Sequence, residues 1–157
     1  MINSLSKIAP QFFGEFPKEF NKLLKSISVY QKEDQIEIKK TLWKAYQFAK
    51  YHHDGQKRKS GKPYFSHCLF VAETLALWRM DLTTIMAGLL HDTLEDTDAT
   101  LDDLRDNFGN DLSYLVDGVT KLVGFKFSSR REKQAGNFMK MLISVAQDLR
   151  VIIIKFA

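Results

Sequence analysis

The sequence predicts an all-α domain, and three observations carry that expectation. There are only three prolines, Pro10, Pro17 and Pro63, so no proline interrupts a helix after residue 63. Apolar residues recur three and four positions apart through successive segments, the spacing of one helical face. The β-branched run Val151-Ile152-Ile153-Ile154 has strand propensity, but a lone strand has no pairing partner, so it reads as a buried helix.

The elements follow in order. Residues 1–16 read as a loose leader. A short helix starts at Pro17, with Phe20, Leu23, Leu24 and Ile27 at helical spacing. A second runs from Glu33 to Tyr51 and presents Ile36, Trp43, Ala45, Phe48 and Ala49 as its apolar face. Gly55, Gly61 and Pro63 break any helix in the polar stretch 53–63. A third helix spans Tyr64 to Arg79, and a fourth starts near Leu82, carrying Ile85, Leu89 and Leu90. Thr100 reads as the N-cap of a fifth, with Asp103 three residues on, and Gly109 ends it. A sixth runs from Asp111 to Leu122. Gly124–Ser129 is irregular, and a seventh helix covers Arg131–Leu149 with Phe138, Met141, Leu142 and Val145 on one side. The expected organisation is a leader with a short helix over 1–32 and the main domain over 33–157.

At 157 residues the chain suffices for one domain with a sizeable core. Its 45% hydrophobic and 27% charged residues are those of a soluble globular protein. A net charge of +4 suits an anionic ligand without requiring one. Cys68 is the sole cysteine, so no internal disulfide forms and a reducing compartment is expected. It lies in His67-Cys68-Leu69-Phe70-Val71, which reads as a buried helix, so a core role outweighs that of a nucleophile. Met1 to Pro10 lacks a signal pattern, and no apolar run approaches the ~20 residues that span a membrane, so a cytoplasmic protein is expected.

The fourth helix holds the main chemical signal. The stripe through Ile85 and Leu89 extends by helical steps to Asp92 and Asp96, and His91 and Glu95 lie on the neighbouring stripe. Four ionisable groups thus crowd the end of an apolar helix. Unpartnered buried carboxylates are costly, and acidic groups near a helix C-terminus oppose its dipole. Two readings stand: the end emerges into water, or a cation neutralises it. His67, one helix earlier, would meet His91 and Asp92 if the two helices are antiparallel. Imidazole and carboxylate ligands suit manganese, iron, nickel or zinc. His52 and His53 flank the loop and read as helix-terminal or supporting groups.

Lys57, Arg58, Lys59 and Lys62 place four cations in six residues. This is a solvated loop or a phosphate clamp, since arginine forks match phosphate oxygens. Direct nucleic-acid binding is disfavoured, because no basic helix with interleaved aromatics appears.

Gly55-Gln56-Lys57-Arg58-Lys59-Ser60-Gly61-Lys62-Pro63-Tyr64, then His67, then Leu90-His91-Asp92-Thr93-Leu94-Glu95-Asp96-Thr97 together resemble the hydrolase domain of the Rel–Spo family. Those are bacterial enzymes that make and degrade the alarmone (p)ppGpp. Phe108-Gly109, Val116-Asp117-Gly118-Val119-Thr120-Lys121-Leu122, and Arg150-Val151-Ile152 with Lys155 extend the resemblance, which covers residues 41–157. Cys68, Gly136 and Met139 depart from the family's common residues. The resemblance implies a helical HD-superfamily fold and the metal ligands His67, His91 and Asp92, with Mn²⁺ the usual ion. It implies that Glu95 and Asp96 orient or deprotonate the attacking water. It also implies that Arg58, Lys59 and Ser60 contact the guanosine tetra- or pentaphosphate, Arg58 against the base. The reaction implied is that of a guanosine-3′,5′-bis(diphosphate) 3′-pyrophosphohydrolase, yielding GDP or GTP. The competing readings are a regulatory HD module that binds nucleotide without cleaving it, and an HD phosphohydrolase of another nucleotide. The presence of His67, His91, Asp92, Glu95 and Asp96 favours the enzyme.

In the family an aspartate, a fourth metal ligand, follows the stretch that here ends at Ala157. The expectation is therefore a C-terminally truncated HD domain from a longer GTP pyrophosphokinase-type parent with synthetase and regulatory domains. This chain should bind manganese weakly and hydrolyse ppGpp slowly beside a chain extended by about 40 residues, two helices of ordinary length. Equal rates for the two chains would sink that expectation.

Overall fold

The structure is a computed structural model and describes residues 15–31, 34–123, 136, 139 and 148–157. Helix α1 (Lys18–Ser28) starts directly after Pro17, which needs no backbone donor at that position. It buries Phe20, Leu23 and Ile27, as their spacing predicts. Helix α2 (Gln35–His52) is capped by the Asp34 carboxylate, which accepts from the amides of Ile36 and Glu37. Its buried face runs through Ile38, Leu42, Ala45, Tyr46, Phe48 and Ala49. Ile36 is 77% exposed, contrary to expectation, because it lies round the helix from the Ile38–Leu42 stripe. Aromatic rings lock α1 to this face: Phe20 meets Trp43 at 4.7 Å and Tyr46 at 5.4 Å.

The stretch 53–64 folds back on itself. Lys57 pairs with Pro63, the Arg58 amide donates to the Lys62 carbonyl, and Gly61 adopts φ 81° at the tip. Helix α3 (Phe65–Leu77) ends two residues before the expected Arg79. Arg79 instead takes a left-handed φ of 56°, and the Met80 amide bonds back to the Leu75 carbonyl at 3.1 Å. That pattern satisfies the last carbonyls of α3 and stops it.

Helix α4 (Leu82–Leu90) is capped by Asp81 and buried from Thr84 onward. It is the central element, packed by α2 and α3 and by the later helices Leu101–Val123 and Leu149–Phe156. Its tight seat on α3 depends on Gly88. A Cβ there would lie 2.3 Å from Leu75 Cδ1 and 3.3 Å from Val71 Cγ1. The continuous helix expected through Asp96 is interrupted: α4 stops at Leu90, and the short α5 (Thr93–Asp96) restarts after His91 and Asp92. Thr93 Oγ1 donates to the Leu90 carbonyl at 2.6 Å and so satisfies an end of α4.

Thr100 and Asp103 form the expected reciprocal cap: the Thr100 amide donates to Asp103 and the Asp103 amide to Thr100 Oγ1. Helix α6 (Leu101–Val123) is broken at Gly109, φ 83°, which is the division expected there between two helices. Helix α7 (Leu149–Phe156) contains the β-branched run, helical as expected, with Val151 and Ile154 buried. Arg150 holds it to α6 through Asp111, while Asp148 at the start of its own helix pairs with the same guanidinium. The leader over 1–14, the loop 124–129 and nearly all of the expected helix 131–149 lie outside the described residues; Gly136 and Met139 are helical. Among the described residues there is no strand, and no helix is long and apolar enough to cross a membrane.

Gly88→Ala should destabilise the chain by about 1–3 kcal/mol, the usual cost of overpacking, read as a lower denaturation midpoint. Combining it with Leu75→Ala, which removes the clashing methyl, should cost less than the sum of the two single changes. Additive costs would contradict the close contact.

Candidate metal centre

The break between α4 and α5 places the chemistry. His91 terminates α4, and its Nδ1 lies 2.7 Å from the Gly88 carbonyl, so that nitrogen carries a proton. Its Nε2 then points at Asp92, 2.9 Å from Oδ1. A lone pair on Nε2 would face the carboxylate lone pairs, a contact that a cation held between them would make favourable. His67, in the first turn of α3, brings Nε2 to 3.7 Å from Asp92 Oδ2, and its ring centre lies 5.2 Å from that of His91. One ligand atom from each of His67, His91 and Asp92 falls within 4.8 Å of the others. Two imidazoles and a carboxylate converging from different helices are a donor set suited to a divalent transition metal. The carbonyl that fixes the His91 tautomer is the support such a ligand uses.

The electrostatics suit that use. Burial disfavours the Asp92 carboxylate, but the hydrogen bond and charge of His91, with Tyr64 and His67, more than offset this and hold it at about 2. Burial, then the charge of His91, lower the proton affinity of His67 against the pull of Asp92. Asp92 is therefore ionised and His67 biased toward the neutral form, the states in which each binds metal. Partial desolvation raises the proton affinity of the largely exposed Glu95 carboxyl, with Asp96 and Asp92 adding to it. Cys68 is buried beneath the site, and burial, helped by Asp92, pushes its thiol up to about 12. It is a core residue and no nucleophile.

The structure brings the other expected residues close in two groups. Glu95 and Asp96 are exposed on α5, directly beyond the His91-Asp92 step. Arg58, Lys59 and Ser60 line a cleft of about 550 Å³ whose wall also includes Tyr64. Tyr64 joins the groups, because its hydroxyl lies 2.8 Å from Asp92 Oδ2 and 2.8 Å from Asp96 Oδ2. Arg58 and Lys155 both lie near enough for their charge to act on His67. A second cleft of about 540 Å³, on the side of the loop that faces Glu19 and Lys50, is lined by none of the three candidate ligands. His52 and His53 stay out of the cluster: His52 pairs with Asp98, and His53 is buried at the end of α2 against Gln56.

The residue pattern assigned no role to Tyr64, Gln56 or Lys155. For Tyr64 a signal existed, since it stands three positions before His67 and so shares its face.

Residues 45–157 match the family model described as HD domain. The bifunctional (p)ppGpp synthase/hydrolase SpoT of Escherichia coli (strain K12) is 47% identical over 138 residues, which are 88% of this chain and 19% of that protein. The GTP pyrophosphokinase of Myxococcus xanthus is 48% identical over 135 residues, 84% of this chain and 17% of that protein. A solved structure of a metazoan ortholog of SpoT, described as hydrolysing ppGpp and playing a role in starvation responses, matches with a TM-score of 0.60 and 30% identity. That match covers 73% of this chain and 64% of the other. The chain thus spans less than a fifth of the length of these bacterial relatives. It belongs to the HD domain family, and its relatives there are the SpoT and GTP pyrophosphokinase proteins.

Proposed function

We propose that this chain carries the hydrolase centre of a (p)ppGpp-degrading enzyme, with His67, His91 and Asp92 holding manganese. The observation that carries the reading is the convergence of those three side chains within 4.8 Å, with the His91 tautomer set by the Gly88 carbonyl. Dependence on a divalent metal accords with the HD domain. Relatives named for ppGpp 3′-pyrophosphohydrolysis support the substrate. When bound, the ion would lower the pKa of a coordinated water and neutralise phosphate charge.

The chain's own residues supply the rest. Arg58, Lys59 and Ser60 bind the guanosine nucleotide in the cleft beside Tyr64, where the basic loop offsets its charge and Lys59 helps to hold the scissile group in place. Arg58 is assigned to the base. Glu95 takes the proton of the attacking water, for which its raised proton affinity fits it. Asp96 orients that water from the neighbouring position. The water oxygen bonds to the phosphorus nearest the ribose, and the bond from that phosphorus to the 3′-oxygen breaks. The 3′-oxygen takes up a proton, pyrophosphate leaves, and GDP or GTP remains. The proposed setting is the cytoplasm, as part of a longer protein.

His91→Ala should strip the chain of bound manganese by elemental analysis. It should also lower ppGpp hydrolysis by more than the roughly 10- to 100-fold that loss of an outer partner of a metal ligand costs. A chelator should abolish turnover and added Mn²⁺ restore it. Metal content and turnover that survive in His91→Ala would overturn the assignment. Arg58→Ala should raise KM for ppGpp roughly tenfold or more, the loss of one charged hydrogen bond, with a smaller change in kcat. An unchanged KM would remove Arg58 from the substrate site.

A further inference from the structure

We propose that Tyr64 is a positioning residue: one hydroxyl bridges Asp92 and Asp96 and so fixes the metal-side carboxylate relative to the acidic residue of α5. The inference rests on the metal-centre reading above and adds a residue to it.

The geometry is unusual in its economy. A phenol has one proton, so Tyr64 Oη shares a single donor between two carboxylate oxygens of different residues, Asp92 Oδ2 and Asp96 Oδ2, each 2.8 Å away. Without it, Asp92 and Asp96 would face each other as like charges with no donor between them. Both use Oδ2 toward the tyrosine, and Asp92 keeps Oδ1 toward His91. The bridge therefore sets the rotation of the Asp92 carboxylate, and with it which oxygen faces each imidazole: Oδ1 faces His91, and Oδ2, the oxygen Tyr64 holds, faces His67.

Tyr64 is itself held from behind. Its ring stacks on the buried His53 ring, with centres 5.1 Å apart and planes at 19°. His53 Nδ1 lies 2.8 Å from Gln56 Oε1, and Gln56 Nε2 donates to the Asp96 carbonyl at 2.6 Å. That second bond orients the Gln56 amide, so His53 Nδ1 must be the donor of the first. The Tyr64 amide donates to the Gln56 carbonyl at 2.9 Å. Two routes therefore run from the end of α2 to Asp96, one through the tyrosine hydroxyl and one through the glutamine. The brace ties the basic loop to α5: Gln56 and Tyr64 bracket residues 57–63, which carry Arg58, Lys59 and Ser60. Its tie to the cleft-lining loop runs through the glutamine and the Tyr64 amide, which Tyr64→Phe leaves in place.

The test compares wild type, Tyr64→Phe, Asp96→Asn and the double variant by Mn²⁺ titration calorimetry, ppGpp kinetics and metal-free thermal unfolding. Tyr64→Phe keeps the ring and its stacking and loses only the hydroxyl. It should keep the metal-free fold, weaken Mn²⁺ binding by about 10- to 100-fold as supporting partners of metal ligands do, and lower kcat with KM little changed. The double variant should bind Mn²⁺ no more weakly than the worse single variant, since both changes break one bridge. Wild-type affinity and kcat in Tyr64→Phe, or additive losses in the double variant, would overturn the role of Tyr64 and leave the metal centre standing. A wild-type chain that takes up no Mn²⁺ would overturn both.

Discussion

The close approach of α3 and α4 is the constraint on which the rest depends. Gly88 permits it, because Leu75 occupies the space a side chain would need. One turn later the same residue offers its carbonyl to His91 Nδ1. A single glycine thus sets both the separation of the two helices and the tautomer of a ring at their junction. With a larger residue the helices would part, and His67 on α3 would move away from His91 and Asp92. The site is a consequence of core packing, and the core on this side is α4, buried along almost its whole length.

The second requirement is electrostatic. Ionisable groups are buried here at a place where the protein could have put apolar ones, and buried charge persists only with partners. Asp92 has His91, His67 and Tyr64 around it, and the result is a carboxylate held ionised despite its burial. Glu95, one turn on and exposed, is shifted the other way, by partial desolvation where α5 meets the site and by its acidic neighbours. Two carboxylates three residues apart therefore hold protons with different strength. One suits a permanent anion and the other a group that exchanges a proton.

Much of this was legible in the residues. The spacing of Phe20, Leu23 and Ile27, the Thr100–Asp103 cap and the break at Gly109 are local signals, and local signals survive into the fold. The association of His67 with His91 and Asp92 was legible as a possibility from two successive helices, and the convergence seen here accords with it. What was not legible depends on three-dimensional context. Periodicity cannot distinguish a continuous helix to Asp96 from one that stops at Leu90 and restarts, because the break costs no register that the pattern records. Ile36 is apolar and helical, but which side of α2 faces the core is decided by the neighbours of Ile38 and Leu42. The bridge made by Tyr64 joins residues 28 and 32 positions apart, and a short window shows only that Tyr64 shares a face with His67.

The proposed site requires His67, His91 and Asp92 to be ligands of one metal ion. Crystals grown with Mn²⁺ and measured at the manganese absorption edge test it most directly. Ligation by all three side chains should give one strong anomalous peak within coordination distance of His67 Nε2, His91 Nε2 and an oxygen of Asp92. A peak bound elsewhere, or none between these three side chains at saturating Mn²⁺, would contradict it.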